Sequence, residues 1–405
     1  MLLGMKTLDD INVEEKTVLL RVDINCPTAE DGSLLDVTRI KAIVPTVQEL
    51  SERNAKVVIL AHQGRNGKPD CTSLKNHSKA LASLLGEEVL FVDKPSGPDA
   101  LAAIKKASWG DVILLENQRF DEAEQEEKTP DEHANDKTIL ELAKACDVFV
   151  NDAFAAAHRS QRSLVGFCPI MPSAIGRVME AELGALEKIA NPEKPALFIF
   201  GGAKLDGIEI LVGKLLDSGR ADKVIVTGLT GLAFVLSSGH SLGPTDGKIQ
   251  GELSLEAMAK LAELVEKYPM NLLLPADHLA EKDGAPLIVK QVPTPYPIYD
   301  IGPEAASQFT AEISRAKTVF VSGPAGFFER AGFGEGTKKI LEAAANRTGE
   351  GAHTVIGGGH TNAAISKLGL DGKFSYQSTG GGALEAFITG EKLPVLEAIK
   401  HSFKG

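Results

Sequence analysis

The sequence predicts an α/β protein built as two parallel-sheet domains, each with helices on both faces of its sheet. Three observations carry this expectation. Short apolar runs recur along the chain, and each is continuous rather than alternating, as in strands buried on both faces. Helical patterns separate these runs, the order that builds parallel sheets. The chain has 405 residues, more than one ordinary core accommodates. A long helical stretch near its middle divides two halves whose strand ends differ in chemistry.

Taken in order, Val18 to Ile24 is the first strand, and it ends in Asn25-Cys26-Pro27. Ile40, Ile43, Val44, Val47 and Leu50 then recur at helical spacing. Lys56 to Ala61 is the second strand and delivers His62-Gln63-Gly64-Arg65. A helix over 74–85 and a strand over 89–92 follow. The strand 111–115 ends in Glu116-Asn117-Gln118-Arg119, and the acidic run 121–127 reads as a solvated loop. A helix near 139–145 precedes the strand 148–150, which delivers Asn151 to Arg159. These boundaries make 1–172 the first domain. Residues 173–190 read as the linker helix, with Ser173 as its N-cap. The second domain spans 191–385. The amphipathic tail 386–405 is expected to return to the first domain.

The second half repeats the layout with glycine at its strand ends. Strand 196–200 leads to Gly201-Gly202-Ala203-Lys204, strand 223–227 to Gly228, and strand 271–274 to Pro275. Strand 318–321 leads to Gly323-Pro324-Ala325-Gly326, strand 353–356 to Gly357-Gly358-Gly359-His360, and the short run 374–377 to Ser378-Thr379-Gly380-Gly381-Gly382. One such cluster is as readily a tight turn as a ligand site. Repetition favours the second reading, because glycine lets backbone amides approach a phosphate at the positive end of a helix. No Walker-type Gly-Lys-Ser/Thr and no dinucleotide Gly-x-Gly-x-x-Gly pattern occurs.

In parallel sheets ligands bind beyond the carboxyl ends of the strands. In the first half those ends carry Asp23, Asn25, His62, Arg65, Arg119, His158 and Arg159, with Arg39 within reach. Guanidinium forks match the oxygens of a small, doubly anionic ligand. A lone arginine is more often a surface ion-pair partner; several on one rim are not.

Composition bounds the rest. Apolar residues are 43% and charged residues 24%, as in soluble globular proteins, and net charge is -12, which speaks against a broad nucleic-acid surface. No apolar run reaches the roughly 20 residues of a membrane span, and the start lacks a signal-peptide pattern. Four scattered cysteines fit a reducing cytoplasm. No nucleic-acid or membrane partner is expected, and the working unit is a monomer or homodimer. No covalent nucleophile stands out, whereas direct phosphoryl transfer needs only positioning, a metal and cations.

Seven stretches together resemble the phosphoglycerate kinase family. They are Arg21 to Pro27, Ala61 to Arg65, Leu114 to Phe120, Asn151 to Arg159, Gly201 to Lys204, Gly323 to Glu329 and Ser378 to Gly382. Their wording is closest to archaeal members. The resemblance implies two Rossmann-like domains that close, and phosphoryl transfer between ATP and the carboxylate of 3-phosphoglycerate, with Mg²⁺ accompanying ATP or ADP. It implies acceptor binding by Asp23, Asn25, Arg39, His62, Arg65, Arg119 and Arg159. Arg39 and Lys204 would be the catalytic charges. Gly201, Gly202, Lys204, Gly228, Gly323, Glu329, Gly357, Gly358, Gly359, His360, Ser378, Thr379, Gly380, Gly381 and Gly382 would bind the nucleotide, Glu329 at its ribose. Three positions depart from the common pattern: His360 stands for an Asp that holds Mg²⁺, Ile208 for a second lysine, and Ser322 for an Asn. The metal ligands are therefore left open. Two rival readings share the motifs: a divergent kinase with another donor or acceptor, and a non-catalytic anion sensor.

Overall fold

The computed structural model describes residues 3–402 and divides into two compact units. One runs up to Gly184 and includes the chain from Glu391 on; the other is Ala185–Gly390. The division falls inside the helix Arg177–Ala190.

The first unit holds β1 (Thr17–Val22), β2 (Lys56–Leu60), β3 (Val89–Val92), β4 (Val112–Leu115), β5 (Val148–Asp152) and β6 (Ser173–Ile175). They form one parallel sheet in the order β3-β4-β2-β1-β5-β6. All residues of β1 and β2 are buried, as continuous apolar runs require. The helix Thr38–Glu52 closes one face by burying Ile40, Ile43, Val47 and Leu50 against Val18, Leu20 and Val22. Each such side chain contributes about 1.5–3 kcal/mol on burial. The helix Pro394–Lys400 belongs to this unit, where Val395 N–H donates to Ala157 C=O at 3.3 Å.

The second unit holds β7 (Ala196–Phe200), β8 (Lys223–Val226) and β9 (Leu272–Leu273), then β10 (His278–Lys282), β11 (Ala285–Val289) and β12 (Ile298–Ile301). After these come β13 (Thr318–Ser322), β14 (His353–Gly357) and β15 (Tyr376–Gln377). Its parallel sheet runs β15-β14-β13-β7-β8-β9. Phe320 packs between Phe198 and Phe200, 5.8 Å from each ring.

Two readings are corrected, and one sheet is new. Residues 173–175 are a strand, and the central helix begins at Arg177. Ser173 therefore caps nothing, and its hydroxyl donates to Met171 C=O. The helix N-terminus is held instead by the buried Asp152 carboxylate, which accepts from Met179 N–H at 2.8 Å. The acidic run is not a solvated loop: Glu122–Gln125 is a 3₁₀ turn, and Glu124 is fully buried. Finally, β10, β11 and β12 form an antiparallel sheet that continuous apolar runs do not reveal.

Candidate active site

In the first unit the carboxyl ends of β1, β2 and β4 and the turn after β5 carry the expected acceptor residues. Asp23 follows β1. Its Oδ1 accepts from Asn25 N–H at 3.0 Å, and its Oδ2 meets Arg39 Nη1 at 2.6 Å. Arg39 sits in the first turn of the helix Thr38–Glu52. Burial alone would raise the Asp23 carboxyl; the Arg39 guanidinium first, and then the Asn25 amide, outweigh it and hold it at about 2. The Asn25 amide oxygen accepts from Gly64 N–H at 2.9 Å, so this side chain ties the β1 and β2 tips together.

His62 is 4% exposed. Burial first, then nearby Arg21, Arg119 and Arg159, push it well below the usual imidazole range, and Asp23 offsets this only in part. It is a neutral ring. Arg119 is buried at the end of β4, where its Nη1 donates to Gly64 C=O while its Nε has no partner. Burial, Arg159 and Arg21 lower its guanidinium to about 10. Two buried guanidinium groups lowered by burial and by the charge of Arg159, with one buried donor unspent, make a site short of anion. Arg159 Nε lies 3.4 Å from His158 Nε2. Arg65 is exposed.

Arg21 was missed as a site residue. It is 1% exposed and reaches Ser163, Val22 C=O and His62. The available signal was a charge inside the apolar strand Val18-Leu-Leu-Arg-Val22, because a charge is rarely buried without a task.

In the second unit the glycines fall into two kinds. Gly201, Gly228 and Gly323 serve the packing of loops. A Cβ on Gly201 would stand 2.4 Å from Pro324 O, and one on Gly323 would stand 2.2 Å from Gly201 O. Their amides are already used: Gly201 N–H donates to Ser322 C=O, Gly202 N–H to Pro324 C=O, Gly228 N–H to Ala325 C=O and Gly323 N–H to the Thr361 hydroxyl. They offer no free N–H to a phosphate, contrary to expectation. Gly357 is likewise filled against Leu384. Ser378 is buried, with its hydroxyl accepting from Gly380 N–H.

Gly358, Gly359 and Gly381 differ. No neighbour stands within 3.5 Å of a Cβ placed on any of them. Gly358 and Gly381 have φ of +89° and +46°, which explains glycine there. Gly359 has neither strain nor crowding to explain it, so the fold itself does not require glycine. These residues open the helices Gly359–Leu368 and Gly381–Ile388, whose first amides lack intrahelical partners. Gly382 is exposed in the first turn of the second helix, and Thr379 is half-buried just before it. Beside the first helix, His360 Nδ1 lies 3.6 Å from Glu329 Oε1, both largely exposed. Lys204 Nζ pairs with Glu385 at the surface. Ile208 is 6% exposed, so the second cation is replaced by a core side chain.

Residues 8–391 match the family model for phosphoglycerate kinase. The chain belongs to the phosphoglycerate kinase family. The phosphoglycerate kinase of Methanobacterium bryantii is 41% identical over 404 residues, 98% of each chain, and that of Methanococcus maripaludis is 42% identical at the same coverage. The crystal structure of the phosphoglycerate kinase of Pyrococcus horikoshii OT3 is similar, with TM-score 0.90 and 36% identity, covering 98% of this chain and 99% of that one. The phosphoglycerate kinase of Coxiella burnetii matches with TM-score 0.81 and 30% identity over 98% of both chains. The resemblance to archaeal phosphoglycerate kinases therefore holds across nearly the whole chain.

Proposed function

We propose that this phosphoglycerate kinase family member catalyses reversible transfer of the γ-phosphoryl group of ATP to the carboxylate of 3-phosphoglycerate, giving ADP and 1,3-bisphosphoglycerate. The observation that carries the reading is the guanidinium cluster around neutral His62, with the buried Arg119 Nε unspent. Arg39, Arg65, Arg119 and Arg159 take the acceptor's anionic oxygens. Asp23 and Asn25 shape the loop that receives it. The open amides of Gly358, Gly359, Gly381 and Gly382 take nucleotide phosphates, and Glu329 takes the ribose.

The acceptor carboxylate is ionised at neutral pH, so no base is needed. A carboxylate oxygen forms the new bond to γ-phosphorus. The bond to the β,γ-bridging oxygen breaks, and its electron pair leaves with ADP. The protein's task is alignment, exclusion of water and neutralisation of the equatorial oxygens. We assign Arg39 and Lys204 to that charge. The surface pair between Lys204 and Glu385 is inexpensive to break.

Mg²⁺ enters as part of the nucleotide substrate. The described residues contain no group of three or more His, Cys, Asp and Glu suited to a metal. His360, beside the proposed ribose residue Glu329, is a borderline imidazole donor that a hard cation does not favour. A Mg²⁺ ion that keeps waters and phosphate oxygens suits such a sparse donor set. We place the protein in the cytoplasm, acting on small molecules as a monomer or homodimer; its four cysteines are free. No described helix is long and apolar enough to cross a membrane.

The test is a coupled assay with ATP, Mg²⁺ and 3-phosphoglycerate. ADP release that depends on all three is expected. Binding of both ligands without turnover would return the chain to the sensor reading, and turnover with another acceptor alone would make it a divergent kinase.

A further inference from the structure

A buried chain of hydrogen bonds runs beneath the acceptor site, starting in the acidic turn that reads from sequence as solvated. Glu124 is 0% exposed, Ser163 2%, Arg21 1% and His62 4%. The Glu124 carboxylate accepts twice from Ser163, from its hydroxyl at 2.5 Å and its backbone N–H at 3.0 Å. The Ser163 oxygen in turn accepts from Arg21 Nε at 2.7 Å. Arg21 Nη2 lies 3.0 Å from His62 Nδ1.

Only one assignment of protons satisfies every link. A carboxylate accepts, so the Ser163 hydroxyl proton points to Glu124. That leaves the Ser163 lone pair for Arg21 Nε–H. A guanidinium only donates, so His62 Nδ1 must accept. The ring is neutral, because burial among arginines disfavours its charged form. Its single proton is then on Nε2. Burial lowers Arg21 as well, and the Glu124 and Asp23 carboxylates offset that loss only in part. Arg162, 4% exposed, brackets the same carboxylate at 3.8 Å from its Nε and also pairs with Asp121.

We propose that Glu124 and Ser163 are positioning residues that fix His62 as its Nε2–H tautomer through Arg21. His62 thereby presents one donor, and no acceptor, to the anionic ligand. The proposal rests on the reading of this site as the acceptor site. A ring free to take the other tautomer would turn a lone pair toward an anion. It would bind only in the fraction of molecules holding the right form, and apparent affinity falls by that fraction.

The experiment is nitrogen-15 NMR of the histidine side chains in the full-length protein, with His62 assigned from the His62→Gln spectrum. The unmodified protein is expected to show a neutral Nε2–H pattern at neutral pH; an Nδ1–H pattern would overturn the proposal without any engineered variant. Ser163→Ala and Glu124→Gln are then compared, each checked for an unchanged melting profile. A mixture in which about a tenth of the rings keep Nε2–H is expected, with KM for 3-phosphoglycerate raised about tenfold to match that fraction, and kcat within about twofold. Ser163→Thr, which restores the hydroxyl, is expected to recover the parent spectrum. Folded variants that keep a pure Nε2–H ring would overturn the chain's role. If 3-phosphoglycerate moves no His62 signal in the parent, the acceptor-site reading fails, while the tautomer result stands separately.

Discussion

The two units end their strands in different materials. In the first, the proposed acceptor groups are side chains, several of them buried and already bonded: His62 to Arg21, Arg119 to Gly64, Asp23 to Arg39. In the second, they are backbone amides at open glycines, flanked by the exposed pairs Lys204–Glu385 and Glu329–His360. Buried side chains fix geometry and charge at a cost in stability, because desolvation must be offset by partners. Open amides cost almost nothing and accept any phosphate that reaches them. A small acceptor must be recognised atom by atom. A nucleotide is held mainly by its phosphates, which backbone can serve.

If this contrast is right, the second unit separates activity from stability. Lys204→Ala should lower kcat by about 10²–10³-fold, the scale of losing one stabiliser of transition-state charge, with the melting temperature unchanged because the side chain is exposed. Steady-state kinetics beside thermal melting would read both. A loss of folding would break the comparison.

The two kinds of glycine sharpen it further. Gly201→Ala forces a Cβ to 2.4 Å from a backbone oxygen and should destabilise the protein by about 1–3 kcal/mol. Gly359→Ala meets open space and should leave stability unchanged or slightly raised, while weakening nucleotide binding at least about tenfold. Denaturant melts and nucleotide titrations of both variants test the sorting; a Gly359→Ala protein that binds nucleotide normally would put this glycine outside the site.

A smaller effect concerns acid. His77 is 1% exposed, bonded through Nε2 to Gln63 at 3.0 Å, and burial pushes it down to about 4. Unfolded, it titrates near 6.5. The unfolded chain therefore binds the proton more tightly, and stability is lost as pH falls from 6.5 toward 4. This residue's share at pH 5 is about 2 kcal/mol. His77→Gln keeps a donor for Gln63 and removes the titration, so the fall in stability between pH 6.5 and 5 should flatten in urea melts.

Much of the fold was legible, because parallel strands buried on both faces are written as uninterrupted apolar runs such as 56–60. The residues proposed to take the acceptor could be singled out because charge at the ends of such runs stands out. What failed was non-local. Glu124 lies in an acidic run, and its partner Ser163 is 39 residues away. Gly201 and Gly202 spend their amides on carbonyls of the last residue of β13 and of the turn beyond it. Ser173 looked like a cap because it precedes a helical pattern, yet three residues join the sheet edge first. The antiparallel sheet did leave a sign. Asp283-Gly284, both at positive φ between β10 and β11, is the two-residue hairpin signal. It was masked because β11 is mostly exposed and contains Pro286.

The division of labour is tested most directly by titrating each ligand separately into Arg119→Met, which removes the buried guanidinium and keeps much of its bulk. The account predicts that the dissociation constant for 3-phosphoglycerate rises at least about tenfold, the weight of a hydrogen bond to a charged group, while that for MgADP stays within about twofold. Equal weakening of both ligands, or weakening of MgADP alone, would contradict it.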